Sequence, residues 1–99
     1  MSWRVRLTAQ AASDLERLFD FLAQNDLPTA ERALAAISDG FALLEQFPFA
    51  CRKATPEDPT LRELLIGFGR SGYVVLYEIE SAEIITILAV RHQREDDRY

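Results

Sequence analysis

Trp3-Arg4-Val5-Arg6-Leu7 alternates apolar and charged side chains. Period two predicts a short strand with one buried face. Thr8 follows, a good helix N-cap. Ala11, Ala12, Leu15, Leu18, Phe19 and Leu22 then recur at steps of three and four, with Asp14, Glu16, Arg17 and Asp20 between them. This pattern predicts an amphipathic helix over about residues 9–24. Ser13-Asp14-Leu15-Glu16 also fits a capping box, but the apolar stripe already begins at Ala11.

Asn25-Asp26-Leu27-Pro28 breaks that helix and opens another, because proline is tolerated in a first turn. Ala30, Ala33, Leu34, Ile37, Phe41 and Leu44 continue at helical spacing up to the stop at Phe47-Pro48. Gly40 interrupts this helix at a cost of about 1 kcal/mol relative to Ala without ending it. The link between the helices is short, so an antiparallel hairpin is expected. Prolines 48, 56 and 59 mark residues 48–60 as a surface loop.

Leu61-Arg62-Glu63-Leu64-Leu65-Ile66 resumes apolar character, and residues 67–72 read as a turn. Tyr73–Glu80 and Ile84–Val90 are β-rich and separated by the turn Ser81-Ala82-Glu83. Three such runs predict an antiparallel meander. The expected fold class is α+β in the order β-α-α-β-β-β, with an N-terminal strand and a helical hairpin packed on a mostly antiparallel sheet. The helices should cover one sheet face. Ile84, Ile85, Ile87, Leu88 and Val90 make the last strand apolar on both sides, so a second cover is expected, from an obligate partner or equally from a second copy of the chain.

A chain of 99 residues is expected to form one domain, residues 1–99. One cysteine excludes a disulfide framework, and the apolar and aromatic content excludes intrinsic disorder. No apolar run approaches the roughly 20 residues of a membrane span. Charges at Arg4 and Arg6 stand where a signal peptide has its apolar segment, so a cytoplasmic protein without membrane contact is expected. The net charge of −5 argues against strong direct binding of nucleic acid.

Several segments resemble, in order, the ParE/RelE toxin superfamily of type II toxin–antitoxin systems. They are Val5-Arg6-Leu7-Thr8 with Ala11/Ala12 and Asp14-Leu15, then Pro28-x-Ala30, Leu44 with Phe47-Pro48, Leu61-Arg62-Glu63-Leu64, Tyr73-Val74-Val75-Leu76-Tyr77, and Ile85 through Arg91-His92-Gln93-Arg94. The closing segment resembles ParE more than RelE. The resemblance implies a toxin that traps DNA gyrase and is neutralised by a ParD-like antitoxin wrapped around it. The RelE branch implies a ribosome-dependent ribonuclease instead, and an inactive interaction module is a third reading.

His92 is the only histidine and stands between arginines, a set suited to acid–base cleavage of RNA. Carried over from RelE-like ribonucleases, the catalytic set is Arg62, Arg70, His92, Arg94 and Tyr99. Carried over from ParE, Arg91, His92 and Arg94 face the target. Glu95-Asp96-Asp97 opposes a phosphate-binding role. For the antitoxin, Tyr73, Val75, Tyr77, Ile85 and Ile87 are the expected contacts along the meander. The tyrosines equally suit the core. Arg62 and Arg70 flank a glycine-containing turn, which is not a nucleotide loop because no parallel strand leads through it into a helix. Cys51 has no partner at ligand or base spacing, and no metal or cofactor is expected.

Overall fold

The first strand forms as β1 (Arg4–Leu7) and passes directly into helix α1 (Ala9–Ala23) in a computed structural model that describes residues 2–95. Thr8 makes that junction. Its Oγ1 accepts the Ala11 amide at 3.1 Å, the N-cap its chemistry predicts. Asp26 caps helix α2 (Leu27–Leu44) likewise, accepting the Thr29 amide at 3.1 Å, with Pro28 in the first turn. The short link between α1 and α2 folds them into the expected hairpin.

A single 3-10 turn (Pro48–Ala50) leads into β2 (Arg52–Thr55), β3 (Asp58–Phe68), β4 (Ser71–Ile79) and β5 (Ile84–His92). The sheet order is β1-β5-β4-β3-β2; β1 runs parallel to β5 and all other pairs are antiparallel. The α+β architecture is as predicted, with one strand more. Residues 48–60 are not all loop, since β2 and the start of β3 lie within them. As an edge strand, β2 is exposed or half-buried throughout and so lacks the apolar alternation that marks a strand. Pro59 lies before the β3–β4 ladder begins at Leu61, so its missing N–H costs no bond there.

Both helices pack on one face of the sheet. Ala11 and Leu18 of α1, with Ala33, Ile37 and Leu44 of α2, meet Leu64, Ile66, Val75, Ile87 and Val90 of the sheet. Gly40 permits the approach of α2, because a Cβ there would lie 2.7 Å from Ile66 Cδ1.

The two-sided apolar character of β5 has a local cause. Leu76 pairs with Ala89 and Tyr77 with Ile87, so Leu88 is the extra residue of a β-bulge. The bulge returns Val90 to the helix side with Ile85 and Ile87, and all three are fully buried. The second cover inferred from β5 is therefore not required. The opposite face presents Val74, Leu76 and Ala89 among longer polar side chains.

Helix α1 holds the bulge. Thr8 Oγ1 donates to the Leu88 carbonyl at 3.1 Å, and the Thr8 amide donates to the Ile87 carbonyl at 3.0 Å. Beyond Leu7, β5 has no strand partner on the β1 side. There the buried Asp14 accepts the Val90 amide at 2.9 Å through Oδ2 and Gln10 Nε2 at 2.8 Å through Oδ1. The Thr8 and Asp14 of the opening segment thus serve one strand irregularity.

Candidate functional site at the end of β5

His92 ends β5 opposite Tyr73 and stands on the helix side of the sheet. Its ring meets Tyr73 edge-on, with centroids 5.7 Å apart. Nδ1 accepts the Arg94 amide at 3.1 Å, and Nε2 lies 2.9 Å from Ser71 Oγ. An accepting Nδ1 places the proton of the neutral ring on Nε2, which then donates to Ser71. A base that takes the serine proton requires the reverse. The Ser71–His92 pair therefore ties the β3–β4 hairpin to the end of β5.

Glu95 closes the turn after β5. Its Oε1 accepts the His92 amide at 2.7 Å and its Oε2 accepts Arg17 Nη1 at 3.0 Å. Burial alone would raise its pKa, but the His92 amide and the Arg17 guanidinium outweigh this and hold the carboxyl below its ordinary value. Arg17 also lies 3.8 Å from Asp14.

Two grooves meet at this ion pair. One, of about 690 Å³, runs between α1 and the β3–β4 hairpin, with Leu18, Phe21, Leu22, Phe68 and Tyr73 as apolar walls and Arg17, His92, Arg94 and Glu95 at one end. The other, of about 360 Å³, is polar and is lined by Asp14, Arg17, Arg91, Arg94 and Glu95. Phe21 is 69% exposed, a large value for an aromatic on a packed helix.

The candidate residues fall in separate places. Arg91 precedes His92 and starts from the other face of the strand; its guanidinium turns to the His92 and Glu95 carbonyls at 3.4 and 3.3 Å. Arg94 is exposed at the groove end, and Arg70 is exposed at the tip of the hairpin. Arg62 pairs with Tyr77, four residues along β4 from the partner of His92, or about 13 Å. It donates to the carbonyls of Pro59 at 2.8 Å and Cys51 at 2.8 Å and stacks over Phe49, so it anchors the 3-10 turn. Tyr99 lies outside the described residues.

The five expected antitoxin contacts lie in the core of the free chain. Tyr73, Val75, Tyr77, Ile85 and Ile87 are between 0% and 3% exposed, in the layer between sheet and helices. Their shared face is the core face under the helices, and of the five Tyr73 alone also borders the large groove. Tyr77 donates to the Pro48 carbonyl at 2.6 Å, and burial, with the neighbouring Cys51 thiol, pushes its pKa up. Burial also raises Tyr73.

The open face of the sheet carries paired charges. Arg6 meets Glu80 at 2.6 Å and Thr86 Oγ1 at 3.0 Å, and Arg52 meets Glu63 at 2.9 Å. Among the described residues, no three His, Cys, Asp or Glu side chains converge as a metal site requires. No described helix is long and apolar enough to cross a membrane.

Asp14, Arg17, Phe21 and Glu95 were absent from the candidate site read in the sequence. Phe21 carries a signal as a large apolar residue off the main stripe of α1, and Asp14 as part of the opening motif.

Over residues 5–97 the chain matches the family model for the ParE toxin of the type II toxin–antitoxin system parDE. It is 30% identical over 84 residues to Toxin RelE1 of Caulobacter vibrioides, spanning 85% of this chain and 87% of that protein. Its fold is similar to a chain of the chromosomal ParDE toxin–antitoxin system from P. aeruginosa, with a TM-score of 0.72 and 22% identity over 92% of this chain and 96% of that one. It is also similar to a chain of the toxin–antitoxin complex RelBE2 from Mycobacterium tuberculosis, with a TM-score of 0.67 and 25% identity over 94% of this chain and all of that one.

Proposed function

The chain belongs to the ParE toxin family of type II toxin–antitoxin systems, and on that premise we propose that it inhibits DNA gyrase by binding. In this reading it acts in the cytoplasm, arrests growth when free, and is neutralised by a ParD-like antitoxin. The antitoxin is supported by the two similar folds, both from toxin–antitoxin systems.

The observation that carries binding over RNA cleavage is the open sheet face. Arg6 and Arg52 there are each engaged by a glutamate. A phosphodiester laid on that face would meet carboxylates beside the guanidinium groups, and the overall charge of −5 adds repulsion. His92 stands on the other side, with both ring nitrogens in hydrogen-bond contact. Ribosome-dependent RNA cleavage is the second reading, favoured by the 30% identity to a toxin named RelE1.

A supercoiling assay with purified gyrase, run beside a cleavage assay on ribosome-bound message, separates them. The expected result is lost supercoiling, accumulating cleaved DNA and intact message. Cut message with gyrase untouched moves the assignment to RNA cleavage. A null result in both assays leaves an inactive interaction module.

A further inference from the structure

We propose that Arg17, the His92 backbone N–H and Arg94 form a carboxylate subsite at the end of the apolar groove, filled in the free protein by Glu95. An acidic side chain of the antitoxin displaces Glu95, while apolar side chains of the same segment fill the groove. The inference rests on the proposed antitoxin reading and specifies where and how that partner binds.

Glu95 is held in the manner of a ligand. Each carboxylate oxygen takes one donor, and the donors come from different elements, the α1 guanidinium and the amide ending β5. The residue follows β5 by a short turn, closed by the Glu95 amide on the His92 carbonyl at 3.0 Å. Its side chain can therefore leave by rotamer change while the strand stays in place.

The surroundings select the replacement. With Glu95 swung out, Arg17 keeps only its longer 3.8 Å approach to Asp14, and the exposed Arg94 lines the same end of the groove, on a chain of net charge −5. The positive charge is local and attracts a single acidic group rather than a polyanion. Beside it lie the exposed Phe21 and the half-buried Leu22 and Phe68, an apolar wall facing the groove. A carboxylate adjacent to apolar residues on one face of a helix or strand matches both parts.

The test is the dissociation constant of the full-length ParD-like antitoxin, separated from the co-expressed complex, for four variants against wild type. Glu95→Gln removes the internal competitor and is expected to tighten binding roughly 3- to 10-fold. Arg17→Gln should weaken it about 10-fold or more by removing the shared donor. Phe21→Ser, at an exposed position, should weaken it to a similar degree. Leu65→Ser, on the open sheet face, should leave it unchanged. Wild-type binding that none of the groove variants alters would overturn the subsite while leaving the antitoxin reading intact. Weaker binding by Glu95→Gln would overturn the displacement. Loss confined to Leu65→Ser would place the interface on the open face. A wild-type dimer dispersed by Phe21→Ser would assign the groove to a second copy and overturn the proposal. Absence of antitoxin binding by wild type would overturn both readings.

Discussion

Asp14 does for β5 what a neighbouring strand would do. Its Oδ2 accepts a buried amide that the end of β1 leaves without a strand partner. Replacing it by Ala strands that N–H, and an unsatisfied buried group costs about 1–3 kcal/mol. Asp14→Ala is therefore expected to lower the urea midpoint with an unchanged slope, and Asp14→Asn, which keeps an acceptor, to lower it less. Alternation along the helix marks Asp14 only as a polar residue beside the stripe. Its burial depends on a strand 76 residues away, which no local pattern encodes. Glu95 makes a pH-dependent contact of the same kind. Its folded pKa is depressed, so the stabilisation is present above 4.5, the ordinary glutamate value, and is lost as pH falls through the lower folded one. The His92 amide resonance is expected to titrate in that window below 4.5 in wild type and to stay flat in Glu95→Gln. A titration unaffected by the substitution would refute the contact.

The elements were legible wherever period and capping agreed. Thr8 and Asp26 start their helices as their side chains dictate, and the apolar stripes face the sheet. The edge strand β2 escaped because exposure on an edge leaves no alternation, and the bulge at Leu88 because it is defined by pairing with β4. The β3–β4 hairpin narrows the six-residue turn expected over 67–72 to Gly69 and Arg70. Gly69 has φ +62°, at the position where a two-residue hairpin of type II′ takes glycine. Gly72, in β4, has φ +152°, and a Cβ there would come within 1.9 Å of the Ile66 carbonyl oxygen. The obstacle is backbone held in a ladder, so relief requires breaking the pair. Gly69→Ala is expected to cost about 1–3 kcal/mol, because a side chain there is held at φ +62°, a sparsely populated backbone conformation. Gly72→Ala should cost more, because overpacking adds about 1–3 kcal/mol to the strain. Equilibrium urea unfolding of the two variants checks the order, and a Gly72→Ala protein as stable as wild type would contradict the close approach.

At the scale of the whole molecule, the layers decide which surfaces are available. The helices bury the face bearing Tyr73, Tyr77 and Ile85, so an apolar face that the sequence offers equally to core or partner goes to the core. Function is left to what the layers do not cover: the open sheet face with its ion pairs, and the groove end at Arg17 and Arg94. Composition could exclude a polyanion-binding field but could not locate these surfaces, because pairing of charges is a property of the assembled sheet. With 11 basic against 16 acidic residues, and screening over about 8 Å at physiological salt, only local clusters can attract a phosphate backbone. The clusters described here are engaged by Glu63, Glu80 and Glu95. A labelled duplex in 150 mM salt is therefore expected to show no anisotropy change with the free protein up to about 100 µM, the weak end of ordinary non-specific DNA affinities. Lowering the salt should change little, since few counterions are displaced. Micromolar affinity with a steep negative salt slope would mean that the glutamates release their arginines to phosphate. In that event the open face becomes a nucleic-acid surface, and the argument from paired charges for binding over RNA cleavage fails.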